Sequence, residues 1–497
     1  MISWWERRLQ PPRTRATIAQ AQARALAGLV SRLSATAVGR RHLAGLDPHA
    51  SDLEAAFRRQ VPPQDYADIA GLVARAASGE ADVLFPGCPT ALAQTSGTGR
   101  GATATERYIP QGPDLIAHHR QGGTLALARA AARNPSVLVG RMVMLGGCTA
   151  LDDRGAVPTG DLSGIVAADL PWWARAWHEP GPVIAAEPDW SRRLERIAER
   201  TARRDIRLLS GIPAWLLMLL DQLEQRGSPV KTAWPRLRTC IHGGHAIEPF
   251  LGALGHHLPA DLSMLEVYPA SECFLAVGER PWRLGDGQPE PLELLTDHGV
   301  WFDFLADDGT TVGAADLEAG GLYTVLVTTP GGLLRYRLGD RVRAVGPGRI
   351  RVAGRISTRL SVFGEHVEGD ALASALATAS ADHGAVVAHY HVAPVLPTAG
   401  EPRGSHEWLV EFCSEPRDPS RFMASIDTHL RSHVLDYEAH RAAGQLSAPC
   451  LRAIPSGTFH LWMRQRGKLG GQHKVPTAWT DRSVAEALIS LAKDHDR

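Results

Sequence analysis

The sequence is poor in lysine. Of its 53 basic residues only Lys231, Lys468, Lys474 and Lys493 are lysine, and the remaining 49 are arginine. It also lacks any excess of charge, since 53 Lys and Arg stand against 53 Asp and Glu. Nucleic acid and anionic membranes are therefore not expected partners. The six cysteines (Cys88, Cys148, Cys240, Cys273, Cys413 and Cys450) form no CxxC pair and no metal-ligand spacing. That scatter is the pattern of reduced thiols in a cytoplasmic enzyme. No apolar run approaches the ~18–20 residues of a membrane span. The best candidate, IPAWLLMLL, has nine residues and is followed by Asp221.

What is present describes a globular chain. With 497 residues, 44% apolar and 21% charged, it is too long for a single core. The first 45 residues carry eight arginines and one acid, Glu6. TIAQAQARALAGLVSRLSAT has apolar residues at helical spacing, so this segment is expected to be a packed amphipathic helix, not a targeting leader. From 136 to 355 short β-branched runs alternate with helical stretches, the signature of a largely parallel α/β arrangement. GLYTVLVTTPGGLLRYRLGDRVRAVG then reads as antiparallel strands. After GRISTRLSVFG the pattern changes to a small α+β unit. The expected organisation is a large unit over 1–355 and a smaller one over 356–497.

Four segments carry candidate chemistry. QTSGTGRG (Gln94–Gly101) is a loop whose unshielded backbone N–H groups and hydroxyls suit phosphate oxygens. GxxxxGK[ST] is absent; GxGxxA matches at Gly97–Ala102, but no clear strand precedes it and no helix follows directly, which argues against a dinucleotide fold. VYPASECF (Val267–Phe274) places Tyr268 and Glu272 at the carboxyl end of an apolar strand, where α/β sheets bind ligands. An acid there suits Mg²⁺ and an aromatic suits a base. In LLRYRLGDRVRAVG, Asp340 follows Gly339 in an expected turn among Arg335, Arg337 and Arg341. It reads either as a ribose-binding carboxylate or as a structural salt bridge. In CIHGGHAIEP the paired glycines let backbone approach a planar ligand; His242 and His245, spaced HxxH, have no third ligand and do not make a metal site.

In this order, and followed by GGQHKVP, the segments resemble the acyl acid amido synthetases of the Gretchen Hagen (auxin-responsive) family, a branch of the acyl-adenylate-forming enzymes. FRRQVPPQDYADI, GEADVLFPGCPTALAQTSGT, GRISTRLSVFGEHVE and GTFHLW extend the likeness over nearly the whole chain; the HGG and FGEHVE segments are closer to bacterial members. The resemblance implies an α/β fold with a large adenylate-forming domain of mixed sheets and helices, plus a smaller, mobile α+β C-terminal domain. It implies ATP and Mg²⁺ as cofactors, and a carboxylic acid and an amine or amino acid as substrates. The chain is expected to be a monomer that binds neither nucleic acid nor membrane.

By motif, Ser96, Gly97, Thr98 and Gly99 fall in the phosphate loop, and Gly243 and Gly244 border adenine. Tyr268, Ala270, Ser271 and Glu272 form the second ATP segment, with Glu272 on Mg²⁺. Asp340 binds ribose, Arg355 lies at the hinge and Lys474 is the mobile-domain lysine. Its ammonium, slimmer than a guanidinium, can bridge a carboxylate oxygen and an α-phosphate oxygen without imposing fork geometry. His118, Trp172 and Trp173 are candidates for the acyl site. The alternatives for them are exposed positions for the histidine and its neighbour His119, and core packing for the tryptophans. Three positions depart from the family pattern: Arg107 stands where a lysine is usual, Thr477 where an arginine is, and Ser357 where related enzymes carry an acid. An acyl-thioester synthetase serving coenzyme A or a carrier protein is the alternative activity, and a silent binding homologue the alternative class.

Overall fold

The computed structural model describes residues 14–95, 107–170, 172–244, 246–355, 360, 365, 367–396, 403–443, 445–465, 475–479 and 481–495. The principal helices are α1 (Arg15–Leu33), α2 (Leu53–Gln60), α3 (Tyr66–Ala77), α4 (Pro113–Arg133), α5 (Trp190–Thr201), α6 (Pro213–Gln225), α7 (Gly369–His383), α8 (Pro419–His433), α9 (Thr458–Gln465) and α10 (Ser483–His495). Helix α1 is the amphipathic element read from the sequence: Ile18, Leu26, Leu29, Val30 and Leu33 recur on one buried face. Thr14 caps it by accepting from the Thr17 backbone N–H.

Two strands, β1 (Ala91–Thr95) and β2 (Arg107–Gln111), pair antiparallel, with β4 (Thr159–Gly160) parallel to β1. The dominant sheet begins in parallel: β3 (Arg141–Met144) pairs with β5 (His178–Glu179) and with β6 (Ile206–Gly211), followed by β7 (Thr239–Gly243) and β8 (Ser263–Pro269). It continues antiparallel through β9 (Phe274–Gly278), β11 (Leu292–Leu294), β16 (Arg349–Arg355), β15 (Tyr336–Gly346), β14 (Leu322–Thr328), β12 (Trp301–Leu305) and β13 (Thr311–Gly313). A short β10 (Trp282–Arg283) also pairs with β8. The switch matches the residues. Thr239–Gly243 and Phe274–Gly278 are buried throughout, and the parallel strands are covered on both faces, by α4 and by α5 with α6. A separate small sheet, β17 (Val386–Val395), β18 (Ser405–Ser414) and β19 (Cys450–Ala453), packs with α7 and α8 around its own core of Tyr390, Trp408, Phe422 and Tyr437. No helix among the described residues is long and apolar enough to cross a membrane.

The antiparallel half is locked to the N-terminal helices by one ion-pair knot. Asp303 on β12 is fully buried and accepts from Arg58 Nη2 at 2.8 Å and from Arg335 Nε at 2.9 Å. Arg335 has a φ of 43° and donates also to the Val61 carbonyl at 2.8 Å, so these bonds hold it in the left-handed region. Substituting Asp303→Ala strands a buried guanidinium and is expected to cost about 3–5 kcal/mol. Urea unfolding would show a clearly lower midpoint; an unchanged midpoint would contradict the role given to this pair.

Candidate active site

The carboxyl edge of the parallel strands is built by close approach of β7 and β8. A Cβ on Gly243 would lie 2.2 Å from the Val267 carbonyl oxygen, so only glycine allows that spacing. Gly244 follows with φ +86°, turning the chain away from the sheet. Strand β8 then runs through Tyr268 into a tight turn in which the Ala270 N–H donates to the Cys273 carbonyl at 2.9 Å, and β9 starts at Phe274. Ser271 and Glu272 form the tip of that turn. Ser271 is buried, its carbonyl receiving Gln111 Nε2 from β2 at 3.0 Å; Glu272 is half-buried. Burial, reinforced by the Glu272 charge, pushes the Cys273 thiol and the Tyr336 phenol well above their ordinary values.

Asp340 meets this edge from the antiparallel half. It is buried, and the Tyr268 hydroxyl donates to its Oδ2 at 2.5 Å. The expected turn at Gly339–Asp340 is corrected: both residues lie inside β15, with Asp340 in register with Arg355 of β16, and the reversal comes at Gly346–Gly348. Gly339, at φ +78°, interrupts the strand's alternation without ending it. The flanking arginines go elsewhere. Arg335 pairs with Asp303, Arg337 with Asp65 at 3.0 Å, and Arg341 with Asp307 at 2.5 Å and Glu368 at 3.3 Å.

Ser96, Gly97, Thr98 and Gly99 lie outside the described residues, as do His245 and Lys474. A strand, β1, does precede the 96–106 segment, contrary to the sequence reading; a strand and not a helix follows it, as Thr95 and Arg107 are antiparallel partners. The Arg107 guanidinium stacks over the Tyr66 ring at 5.2 Å, and the Tyr66 hydroxyl accepts from the Tyr108 N–H at 3.1 Å. QVPPQDY thus supports the exit of that segment. Downstream of Lys474, the Thr477 carbonyl accepts from the Val392 N–H at 2.8 Å and the Pro476 carbonyl lies 2.7 Å from His391 Nδ1. Val475 and Thr477 face Trp215 and Met218 of α6 across a narrow cleft.

The acyl-site candidates come out differently. His118 and His119 are buried on α4, not exposed. His118 accepts the Phe274 N–H at Nε2, 3.0 Å, and its Nδ1 lies 2.9 Å from the His298 carbonyl, so both ring nitrogens brace α4 against the sheet. Burial, with His118 adding, lowers His119 to about 3, and its Nε2 has no hydrogen-bond partner among the described residues. Trp172 is 82% exposed and does not pack in the core; Trp177 is half-buried against the α4 cluster. The Trp173 side chain and the Arg355 side chain lie outside the described residues. Sequence reasoning missed Gln111, whose only signal is a polar residue at the buried end of RYIPQ.

Comparison with known proteins places these features in one family. The chain matches the GH3 family N-terminal domain over 13–145, the central domain over 293–350 and the C-terminal domain over 370–483. Together the three matches take in more than half of its length, and the chain belongs to the GH3 family. It is 30% identical over 256 residues to the indole-3-acetic acid-amido synthetase GH3.8 of Oryza sativa subsp. indica, covering 45% of this chain and 40% of that protein. The match therefore spans less than half of the curated relative. In fold it is similar to the GH3.15 acyl acid amido synthetase, with TM-score 0.78 and 17% identity over 95% of this chain and 93% of that one. It is more distantly similar to a 2-hydroxyisobutyryl-CoA ligase, with TM-score 0.57 and 13% identity over 95% and 91%.

Gly243→Ala is expected to force β7 and β8 apart. A loss of about 1–3 kcal/mol should appear as a lower melting temperature. Gly255→Ala, where an added Cβ meets nothing within 4 Å, should leave the melting temperature nearly unchanged. Equal behaviour of the two variants would contradict the close approach.

Proposed function

We propose that the protein is an ATP-dependent acid–amine ligase that activates a carboxylic acid as its adenylate and transfers the acyl group to an amine or amino acid. The observation that carries this reading is the Tyr268–Asp340 bond at the carboxyl edge, because it joins two distant segments that the resemblance assigns to one nucleotide. Family membership and the relatives' printed activities support it further.

In the first step a carboxylate oxygen of the acid attacks the α-phosphorus of ATP, and pyrophosphate leaves. In the second an amine nitrogen attacks the acyl carbon, loses a proton, and AMP departs with one of the original carboxylate oxygens. Approach of carboxylate to polyphosphate is opposed by like charge, so cations and oriented N–H donors at the α-phosphate lower the barrier. We assign the backbone donors of Ser96–Gly99 to the phosphates, Gly243 and Gly244 to the adenine edge, and Asp340 to the ribose hydroxyls, with Arg355 nearby at the hinge. Tyr268, Ala270 and Ser271 complete the nucleotide segment. Lys474 supplies the ammonium between carboxylate and α-phosphate, and its Gly-rich segment on the smaller unit (356–497) allows withdrawal after adenylation.

We assign Mg²⁺ to Glu272, a half-buried carboxylate at the tip of the turn between β8 and β9; Mg²⁺ is commonly held by one or two carboxylates with substrate phosphates and water. When bound, the ion neutralises phosphate charge as it develops. The six cysteines are unpaired, which supports assigning the enzyme to the cytoplasm, and we assign it as a monomer.

The purified protein would be incubated with ATP, Mg²⁺ and a panel of aryl and small hydrophobic acids, with amino acids, simple amines or coenzyme A. Acid-dependent pyrophosphate release and an amide product by mass are expected; a thioester without amide would overturn the reading. Lys474→Arg should slow adenylation by ~10²-fold or more, and a near-normal rate would remove Lys474 from its role.

A further inference from the structure

Four arginines are buried among the described residues: Arg129, Arg193, Arg335 and Arg341. Three of them have a carboxylate in direct contact, Glu293 for Arg129, Asp303 for Arg335, and Asp307 with Glu368 for Arg341. Arg193, at 3% exposure, has none, and its Nε and Nη1 make no hydrogen bond. Trp190 covers the guanidinium face at 5.0 Å from its ring, which leaves the in-plane donors unmatched. The Cys148 thiol, a weak acceptor, is its hydrogen-bond partner; Asp161 and Glu187 act on Arg193 through their charge, and Glu187 is engaged by Arg196 at 3.3 Å. A buried guanidinium met by a thiol and by charges it does not touch, with two of its nitrogens unsatisfied, is costly for a fold to keep.

Its position shows what the partner would be. Helix α5 connects β5 to β6, which point the same way in the sheet, so it runs against them and its first turn, with Arg193, stands at their carboxyl edge. Cys148 follows β3 at that edge. Asp161 follows β4, and since Gly160 is in register with Ala93 of β1, Asp161 stands level with Gln94, the first residue of QTSGTGRG. The two loops abut: a Cβ on Gly147 would lie 2.3 Å from the Asp161 side chain. Arg193 thus stands at the ligand edge of the sheet, on the side where the loop after β4 runs level with Gln94.

We infer that Arg193 is a substrate-binding residue, an oxyanion subsite in which a carboxylate or phosphate group of the bound reactants takes the unmatched guanidinium donors. The inference rests on the ligase reading for the identity of the reactants. Carboxylate and phosphate offer the same chemistry to a guanidinium, and two probes separate them.

Calorimetric titration with inorganic pyrophosphate and with benzoate would compare the full-length protein with Arg193→Met and Arg193→Gln. Both variants are expected to lose at least tenfold in affinity for one probe and less than twofold for the other. Loss for pyrophosphate identifies the phosphate source, and loss for benzoate the acid's carboxylate. The inference is overturned if both affinities stay within twofold, if both fall equally as general unfolding would cause, or if the unaltered protein binds neither probe. Acid-dependent pyrophosphate release by the unaltered protein decides the ligase reading separately.

Discussion

The architecture turns on the hydrogen bond from the Tyr268 hydroxyl to Asp340. The two residues sit on β8 and β15, between which the sheet places β9, β11 and β16. Strands four positions apart touch only if the sheet curls strongly between them, so this bond reports a bend that brings its parallel and antiparallel halves to one edge. It also gives a buried carboxylate a donor. The arginines that flank Asp340 in sequence are held by Asp303, Asp65, Asp307 and Glu368, which keeps Asp340 out of a direct ion pair with them.

Around that bond the sheet edge is shaped by what is absent as much as by side chains. Gly243 leaves no room for a Cβ, and Gly122 on α4 lies where a Cβ would be 2.3 Å from the Phe274 ring. His118 then ties α4 to the backbone at Phe274 and His298. The turn that carries Ser271 and Glu272 is thereby gripped from both sides, by α4 and by Gln111 of β2, which preorganises it at the edge.

Much of this was legible in the sequence. The change from buried β-branched runs separated by helices to alternating strands marks the parallel-to-antiparallel switch, and the helical spacing of TIAQAQARALAGLVSRL appears as α1. Motif order pointed to the family that the domain matches establish. Other features depend on tertiary contacts that no local pattern encodes. Gly339 reads as a turn, yet its positive φ is accommodated within a continuous strand. The histidine pair reads as exposed polar positions and is buried because β9 packs over it. Trp172 has the residue type of a core and faces solvent. Arg193 lies in WSRRLERIAERT, where by residue type it resembles the exposed Arg192 and the half-buried Arg196 and differs only in the face it occupies.

The central claim, activation through an acyl adenylate at the edge joined by Tyr268 and Asp340, is tested most directly by isotope transfer. An acid labelled with ¹⁸O in both carboxylate oxygens would be turned over with ATP and an amine, and the nucleotide and phosphate products weighed. The account predicts one ¹⁸O in each AMP and none in inorganic phosphate or pyrophosphate. Label in inorganic phosphate, with ADP as the nucleotide product, would contradict it.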